Sequence, residues 1–372
     1  MGISEKIITI LATSGFSSFT IGNSIMLIIV GVLLYLAIVK KCEPLLLLPI
    51  AFGALLANIP LTGISEPGGL LYYIGLGLKY EIYPLLIFMG VGAMTDFGPL
   101  LANPITFLIG AAAQLGIFFS MFLAVVLGFN LPEAGSIGVI GGADGPIAIY
   151  IASKMAPRIL GAIAVVSYSY MSMVPVIQPP ILKLLTTKEE RRIEMKQLRN
   201  VSRAERILFP IVSTIFIGLV LPPSLPIIGM LMAGNLFRES LVVPRLSNTS
   251  QNELINILTI FLGICVGTSM EATNFLTLQT MEIVVLGLIA FAVSTAGGVL
   301  FTKFLNKFTK TKLNPLIGGA GLSAVPMAAR VAQVVAQKEK PGNFILMHAM
   351  GPNVAGVIGT TVAASVIIAL LR

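Results

Sequence analysis

Apolar runs of membrane-crossing length recur from one end of the chain to the other, and they constrain the fold more than any other feature. Ile25 to Val39 and Ile105 to Phe129 are two of these runs, and each is near the ~20 residues that cross a bilayer as a helix. Only 11% of the residues are charged, whereas a soluble domain carries roughly 25%. The sequence therefore predicts an all-α polytopic membrane protein.

Two apolar segments differ from the others because clustered glycine and proline interrupt them. They are Gly135 to Ser153 and Asn314 to Ala336. Such breaks strip hydrogen bonds from a helix, and at membrane depth they are tolerated only where they are buried in protein or line a wet cavity. We expect both to be broken, re-entrant segments. Uninterrupted spans are predicted at about 22–39, 45–61, 82–96, 104–128, 159–184, 207–222, 225–237, 254–270, 282–302 and 344–370.

The two halves of the chain share short motifs in the same order and at nearly the same spacing. Pro49 and Asn58, nine positions apart, reappear as Pro226 and Asn235, and the GGA of 141–143 reappears at 318–320. We predict an N-terminal segment with the first transmembrane helix (1–44) and a first transmembrane repeat (45–185). A cytoplasmic basic segment with a connecting helix (186–221) and a second transmembrane repeat (222–372) follow.

Basic residues set the predicted orientation, since cytoplasmic loops carry an excess of Lys and Arg. They cluster at 40–41, 186–206, 238, 245, 303–312, 338 and 340. If both broken segments are re-entrant, the first repeat starts inside and the second outside. The repeats are then inverted, as in many secondary transporters. Lys154 and Arg158 fall outside in this arrangement. The 186–206 stretch is expected to be a solvated cytoplasmic helix and a candidate docking surface.

The net charge of +8 does not indicate nucleic-acid binding, because the basic residues lie between apolar spans. Two cysteines, Cys42 and Cys265, and the single histidine, His348, suggest no disulfide or metal framework. His348 is expected to be a packing or interfacial residue. The sequence has no Walker loop, so ATP is not expected to drive transport directly.

Asp144 is the strongest functional candidate. It is one of only two aspartates, with Asp96, and it lies in the GGADGP sequence at the centre of the first break. A carboxylate at membrane depth costs at least ~2.5 kcal/mol on insertion scales, which marks a functional site by default. One carboxylate with unwound backbone carbonyls, such as that of Gly142, suits a hard cation such as Na⁺. The alternative is a helix cap. Asp96 ends a span and is expected to be interfacial.

The second break offers an uncharged oxygen, from Ser323, where the first has a carboxylate. Arg330 follows seven residues later and is expected to share its helical face; it either meets an anion or snorkels to the interface. Asn353 can lend an amide oxygen to an ion. The hydroxyl-rich stretch at 167–170 either serves function or bonds its own backbone.

Four motifs together resemble the β subunits of sodium-pumping biotin-dependent decarboxylases, which act on oxaloacetate, methylmalonyl-CoA or glutaconyl-CoA. They are GGADGP with IAIY (141–150), SYMSMVPVIQPP (169–180), NPLIGGAGLSAVPMAARV (314–331) and GPNVAGVIGT (351–360). The resemblance covers essentially the whole chain. In that family a carboxytransferase moves a carboxyl group onto biotin of a mobile carrier. The β subunit then decarboxylates carboxybiotin, consumes a proton and exports Na⁺.

The resemblance implies roles at matching positions of this chain. The family's essential aspartate falls on Asp144 and its tyrosine on Tyr170, and its arginine, Arg330, is able to meet carboxybiotin. The implied Na⁺ ligands are Asp144 with Gly142, then Asn314, Gly318, Ser323 and Asn353. The implied partners are biotin carrier and carboxytransferase subunits, a small membrane subunit and further β subunits. The implied location is the cytoplasmic membrane of a bacterium or archaeon, as a multi-pass protein.

Two other functions compete with this one. The same scaffold would suit a stand-alone secondary transporter that exchanges Na⁺ for a carboxylate or for H⁺. It would also suit a membrane anchor whose breaks only assist packing. The decarboxylase pump requires partner subunits and biotin, whereas a stand-alone transporter does not, so a co-purifying biotinylated partner discriminates between them.

Overall fold

The computed structural model describes residues 14–309 and 311–371, and every regular element in them is a helix. The first half holds α1 Ile21–Ile38, α2 Pro44–Ala57, α3 Leu70–Lys79, α4 Ile82–Met94, α5 Gly98–Ala102, α6 Ile105–Ala113, α7 Leu115–Val126, α8 Leu131–Val139, α9 Gly145–Met155 and α10 Leu160–Leu185. The second half holds α11 Lys188–Arg191, α12 Arg203–Val220, α13 Leu225–Ser240, α14 Pro244–Thr249, α15 Ile255–Thr268, α16 Ala272–Phe275, α17 Leu278–Leu305, α18 Leu316–Gly319, α19 Met327–Glu339 and α20 Leu346–Leu371.

Six helical stretches are long and apolar enough to cross a membrane, and they confirm the polytopic all-α prediction. They are Ile21–Ile38, Ile105–Val126, Pro157–Leu185, Pro244–Thr268, Leu278–Leu305 and Leu346–Leu371. A seventh forms if α3 and α4, bent by 62°, are one span. Helices also lie at the predicted spans 45–61 and 225–237, but α2 has 14 residues and α13 has 16. These reach about 21–24 Å, less than the ~30 Å hydrocarbon core.

The two halves pack against each other through reciprocal contacts. Asn58, which ends α2, donates to the carbonyl of Met270 beyond α15 (2.8 Å). Asn235 in α13 donates to the carbonyl of Thr95 beyond α4 (2.9 Å). Each of these asparagines, matched in the sequence motifs, therefore caps a helix of the opposite half.

The closest contacts between helices of the two halves are possible because glycine has no side chain. A Cβ on Gly92 would lie 1.8 Å from the Leu231 carbonyl oxygen, and a Cβ on Gly234 would lie 1.8 Å from that of Met89. No larger residue fits at either position without moving the backbone, because heavy atoms cannot approach so closely. α4 and α13 consequently cross almost backbone to backbone.

The basic 186–206 stretch is not the solvated helix that its charge pattern predicted. Only Lys188–Arg191 is helical before α12, and residues 193–201 have no regular secondary structure. The prediction was wrong because tertiary hydrogen bonds compete with the helix. The carbonyls of Arg191 and Ile193 accept from the side-chain amides of Asn314 and Asn343, which bind this stretch to other parts of the chain.

Charged residues that were predicted to be cytoplasmic form ion pairs at one end of the molecule, where α20 begins. Glu190 pairs with Lys303 (3.1 Å), Glu194 with Lys340 (2.7 Å) and Asp96 with Arg206 (2.9 Å). At the opposite end Lys154 pairs with Glu81 (2.8 Å) and Arg158 with Glu133 (2.9 Å). The two basic residues that were expected outside are thus each paired with a carboxylate.

Candidate functional site

The first break places Asp144 at the start of α9. A short 3₁₀ turn, Ile140–Gly142, is followed by Ala143 in the left-handed conformation (φ 55°), which turns the chain sharply. Asp144 Oδ1 then accepts from the N–H of Ile147 (3.1 Å), so the carboxylate caps α9. Asp144 is 7% exposed and has no ion pair among the residues that the structure describes. A buried carboxylate without a counter-charge is costly, so a cation or a proton must neutralise it.

The second break, residues 320–326, leaves an unpartnered oxygen beside it. Asn353 in α20 donates its amide protons to the carbonyls of Ala320 (2.9 Å) and Leu322. Its Oδ1 is buried and has no hydrogen-bond partner within the described ranges. An acceptor in that state costs free energy unless a donor or a cation meets it.

The two breaks meet. The backbone N–H of Ser323 donates to the carbonyl of Gly142 (2.9 Å). The hydroxyl of Ser294 in α17 donates to the carbonyl of Gly141 (2.7 Å). Thr360 in α20 touches both breaks, because its hydroxyl bonds that of Ser323 (2.7 Å). A Cβ on Gly142 would lie 2.5 Å from its methyl group. The structure therefore brings together the candidates Gly142 and Ser323, with Asp144 two residues after Gly142, and adds Thr360, which the sequence did not indicate.

The two ends of the first broken segment lie side by side. Glu133 in α8 pairs with Arg158 beyond α9. Pro132 and Lys154, from opposite ends of the segment, line one cavity of about 480 Å³ with Leu371, the last residue of α20. The chain thus enters and leaves this segment at the Leu371 end of the molecule.

The two ends of the second broken segment also lie side by side, at the other end of α20. Asn314 and Asn343 both donate to the carbonyl of Ile193 (2.9 and 3.2 Å), and Asn343 lies three residues before the start of α20. That helix has 26 residues, or about 39 Å. We call the place where the two ends of a broken segment lie side by side its base. The bases of the two segments are therefore far apart, at opposite ends of α20, and their breaks meet beside Thr360 near the middle of that helix.

Two of the expected Na⁺ ligands lie elsewhere and have structural partners. Asn314 sits at the base of the second segment, and its Oδ1 accepts from the N–H of Leu316 (3.1 Å). Gly318 lies against Gly298 of α17: a Cβ on either would come within 2.0–2.2 Å of the other's carbonyl oxygen. This close contact accounts for glycine at both positions.

The two tyrosines of α10 face different surroundings. Tyr170 donates its hydroxyl to the carbonyl of Val284 in α17 (2.6 Å). Tyr168 lies against Gly145, where a Cβ would come within 2.2 Å of its ring, and its buried hydroxyl has no partner among the described residues. Tyr168, which the motif did not single out, therefore lies beside the Asp144 cap. Two residues are about 200° apart on a helix, and the sequence did not show which tyrosine faces the break.

Arg330 lies in the first turn of α19 and is exposed, and its side chain makes no ion pair or hydrogen bond with the residues that the structure covers. Ser323 is buried. The expectation that they share a helical face is wrong, because residues 320–326 are not helical. Arg330 thus presents a free guanidinium at the molecular surface.

Three further polar residues complete the surroundings. Gln178 in α10 donates to the carbonyl of Gly319, and its buried Oε1 has no partner in the described parts of the chain. His348, at the start of α20, is buried and lines cavities of about 460 and 490 Å³ together with residues of the 193–201 segment. Asp96 lies just beyond α4 in an ion pair with Arg206, as expected for the end of a span.

The oxygens around the breaks suit a monovalent hard cation. They come from one carboxylate, an amide, a hydroxyl and unwound carbonyls, and hard cations prefer such oxygen ligands. Among residues 14–309 and 311–371 no group of three or more His, Cys, Asp or Glu is placed to hold a metal ion. A single negative charge balances Na⁺, which favours it over divalent ions at this position.

The chain is similar to known proteins over nearly its full length. The profile of a family described as the Na⁺-transporting oxaloacetate decarboxylase beta subunit matches residues 22–371. The glutaconyl-CoA decarboxylase subunit beta of Acidaminococcus fermentans is 62% identical over 363 residues, which are 98% of this chain and 97% of the relative. The methylmalonyl-CoA decarboxylase subunit beta of Veillonella parvula is 60% identical, with the same coverage. The oxaloacetate decarboxylase beta chain of Haemophilus ducreyi is 48% identical over 427 residues, 98% of each chain.

Proposed function

The chain belongs to the family of Na⁺-transporting decarboxylase β subunits, and we propose that it decarboxylates carboxybiotin, consumes a proton and exports Na⁺. The observation that carries the proposal is the meeting of the two breaks at Gly142 and Ser323, beside a buried carboxylate that has no ion pair among the described residues. No observation favours a stand-alone carrier or a passive anchor.

The proposed Na⁺ ligands are oxygens that lie where the two breaks meet. Asp144 supplies the charge. Asn353 Oδ1, which has no hydrogen-bond partner in the described part of the chain, supplies a neutral ligand together with the Ser323 hydroxyl and the Gly142 carbonyl. Such ligands replace the ion's hydration shell, as unwound segments do in other transporters. Asn314 and Gly318 act indirectly, by holding the base of the second segment and its contact with α17.

We further propose that the broken segments are re-entrant hairpins from opposite sides, within two inverted repeats. The support is the placement of their ends at opposite ends of α20 and the reciprocal caps by Asn58 and Asn235. The clustering of basic residues around the second base assigns that side to the cytoplasm. Each hairpin then admits ions from one side only, as alternating access requires.

The proton chemistry is assigned to Asp144 and the anion binding to Arg330. Decarboxylation of carboxybiotin with one proton yields CO₂ and biotin, so the site must deliver a proton to the cytoplasmic side. A carboxylate binds either Na⁺ or a proton, which makes Asp144 the exchange point. The free guanidinium of Arg330 offers the fork that grips a carboxylate. Tyr170 remains the proposed relay by resemblance, and Tyr168 is the tyrosine beside the Asp144 cap.

The proposed setting is a multi-subunit complex in the cytoplasmic membrane of a bacterium or archaeon. A β subunit needs a carboxytransferase and a biotin carrier to supply carboxybiotin. A small membrane subunit and further copies of the β chain complete the expected assembly. The exposed segment 193–201 lies on the side where a soluble carrier would arrive.

Co-purification tests the proposed function. The tagged chain is extracted from its native membrane, and the eluate is blotted with streptavidin for a biotinylated partner. The complex is then placed in liposomes and assayed for ²²Na⁺ uptake during decarboxylation, with avidin as the inhibitor. We expect a biotinylated partner and avidin-sensitive uptake. Na⁺ transport that persists without biotin would instead establish a stand-alone transporter.

A further inference from the structure

A chain of hydrogen bonds runs from α6 through α20 to the second break. Gln114, buried between α6 and α7, accepts at Oε1 from the hydroxyl of Thr360 (2.8 Å). The hydroxyl of Thr360 also bonds that of Ser323 (2.7 Å). All three side chains are buried, so water does not compete for these bonds. No motif singled out Gln114 or Thr360 for a role of its own.

The direction of each bond in this chain is fixed from the Gln114 end. The amide nitrogen of Gln114 donates to the carbonyls of Gly110 (3.0 Å) and Gly321 (3.5 Å). Carbonyls only accept, so the amide cannot be reversed, and its oxygen must face Thr360. Thr360 therefore donates its one hydroxyl proton to Gln114. It has only lone pairs left for Ser323, and Ser323 must donate its own proton to Thr360.

Ser323 is thereby left as a pure acceptor. A hydroxyl has one proton and two lone pairs, and here the proton is committed to Thr360, whereas both lone pairs stay available. A hydroxyl that presents only lone pairs is poised for a cation. One that is free to rotate must first turn its proton away. We propose that Gln114 and Thr360 are positioning residues that hold the Ser323 hydroxyl in the orientation that accepts Na⁺.

Asn353, which also contacts the second break, is oriented in the same way: it donates its protons to the protein. Asn353 donates its amide protons to carbonyls of the second break, and its oxygen has no partner among residues 14–309 and 311–371. By contrast, Thr361 and Ser365 in α20 donate to carbonyls of their own helix, those of Val357 and Thr361 (both 2.8 Å). Hydroxyls in that arrangement satisfy the backbone locally. Thr360 is distinct among these three because its proton leaves the helix.

The inference rests on the proposed function, in which Ser323 is a Na⁺ ligand, and a matched set of variants tests it. Thr360→Val keeps the shape but removes the hydroxyl, and Thr360→Ser keeps the hydroxyl. Thr361→Val removes an equally buried hydroxyl from the adjacent position. For each purified complex, decarboxylation is measured against Na⁺ concentration. The half-saturating concentration and the maximal rate are obtained separately.

We expect Thr360→Val to raise the half-saturating Na⁺ concentration roughly tenfold, as loss of one oriented ligand implies, while the maximal rate is kept. Thr360→Ser and Thr361→Val should match wild type. Equal shifts in Thr360→Val and Thr361→Val, or a Thr360→Ser variant as impaired as Thr360→Val, would overturn the inference. If the Thr360→Val complex does not assemble, Gln114→Met is the alternative test, since it removes the acceptor for the Thr360 hydroxyl. An unchanged half-saturating Na⁺ concentration in Gln114→Met would overturn the inference.

A double-mutant cycle separates orientation from simple packing. In a Ser323→Ala background the oriented oxygen is gone, so Thr360→Val should cause no further rise in the half-saturating concentration. Additive effects would mean that Thr360 acts on something other than Ser323, which would overturn the inference. Wild-type activity without any Na⁺ dependence is a different result, because it would overturn the proposed function itself.

Discussion

The backbone N–H of Ser323 donates to the carbonyl of Gly142 across 2.9 Å, and this bond joins the break of one half of the chain to the break of the other. Neither break can change conformation without losing the bond or carrying its partner along. A buried backbone hydrogen bond that is broken leaves two unsatisfied groups, at a cost of ~1–3 kcal/mol each. Reorientation of the two breaks is consequently expected to be concerted.

Replacing Asp144 by Asn should abolish Na⁺-dependent decarboxylation while the complex still assembles. Asparagine keeps the shape and can cap α9, but it removes the charge that offsets Na⁺ desolvation. Asp96→Asn is the matched control, because Asp96 pairs with Arg206 outside the site and such partly exposed pairs contribute ~1 kcal/mol or less. Activity and assembly are measured on both purified variants. Equal loss of activity in the two would contradict a specific role for Asp144.

Single-cysteine labelling should place residue 196 inside and residue 127 outside. In a background without Cys42 and Cys265, Lys196→Cys reports the basic end, and Leu127→Cys, 53% exposed in the native residue, reports the base of the first broken segment. An impermeant maleimide applied to intact cells should label only residue 127. Labelling of residue 196 from outside would reverse the proposed orientation.

Alanine at Gly298 or Gly318 should destabilise the protein itself. Each Cβ would meet the other's carbonyl oxygen at 2.0–2.2 Å, and overpacking of this kind costs ~1–3 kcal/mol. Gly229→Ala, with nothing within 4 Å of its Cβ, should be tolerated. The melting temperature of each variant, measured by thermal unfolding in detergent, distinguishes the three substitutions. If Gly318→Ala keeps the wild-type melting temperature and loses only Na⁺ affinity, Gly318 is a ligand rather than a packing contact.

Arg330→Lys should reduce turnover by roughly tenfold or more, as loss of a charge-assisted hydrogen bond implies, and should leave Na⁺ binding nearly unchanged. Lysine keeps the charge but loses the planar fork that holds a carboxylate. Lys338→Ala, an exposed cation on the same helix, is the control for surface charge. Turnover and ²²Na⁺ binding are compared for both. Similar losses in the two variants would contradict a specific role for the guanidinium of Arg330.

The sequence predicted the helical membrane fold and the two breaks, because apolar length and clustered glycine and proline act locally. It did not predict the non-helical path of residues 193–201, whose Ile193 carbonyl bonds the amides of Asn314 and Asn343 more than a hundred positions away. It also did not separate Tyr168 from Tyr170, or identify Gly318 as a contact with Gly298. These outcomes depend on which helix faces which, and a single sequence carries no direct signal of that.

The apparent Na⁺ affinity should fall as the pH is lowered, if Asp144 exchanges Na⁺ for a proton. Both ions neutralise the same carboxylate, so each proton bound excludes one Na⁺, and by linkage the binding of Na⁺ must release protons. The affinity should therefore be highest when Asp144 is ionised and should decline through the pH range in which it takes up a proton. ²²Na⁺ binding to the purified complex across pH measures this, with Asp144→Asn and Asp96→Asn in parallel. Binding to the Asp96→Asn variant should follow the wild-type curve, and binding to Asp144→Asn should be lost. Wild-type binding that is independent of pH, yet lost in Asp144→Asn, would leave Asp144 as a Na⁺ ligand only. The proton would then have to travel by another route. The hydroxyl of Tyr168 beside the Asp144 cap, which has no partner among the residues that the structure describes, would be the first group to test on that route.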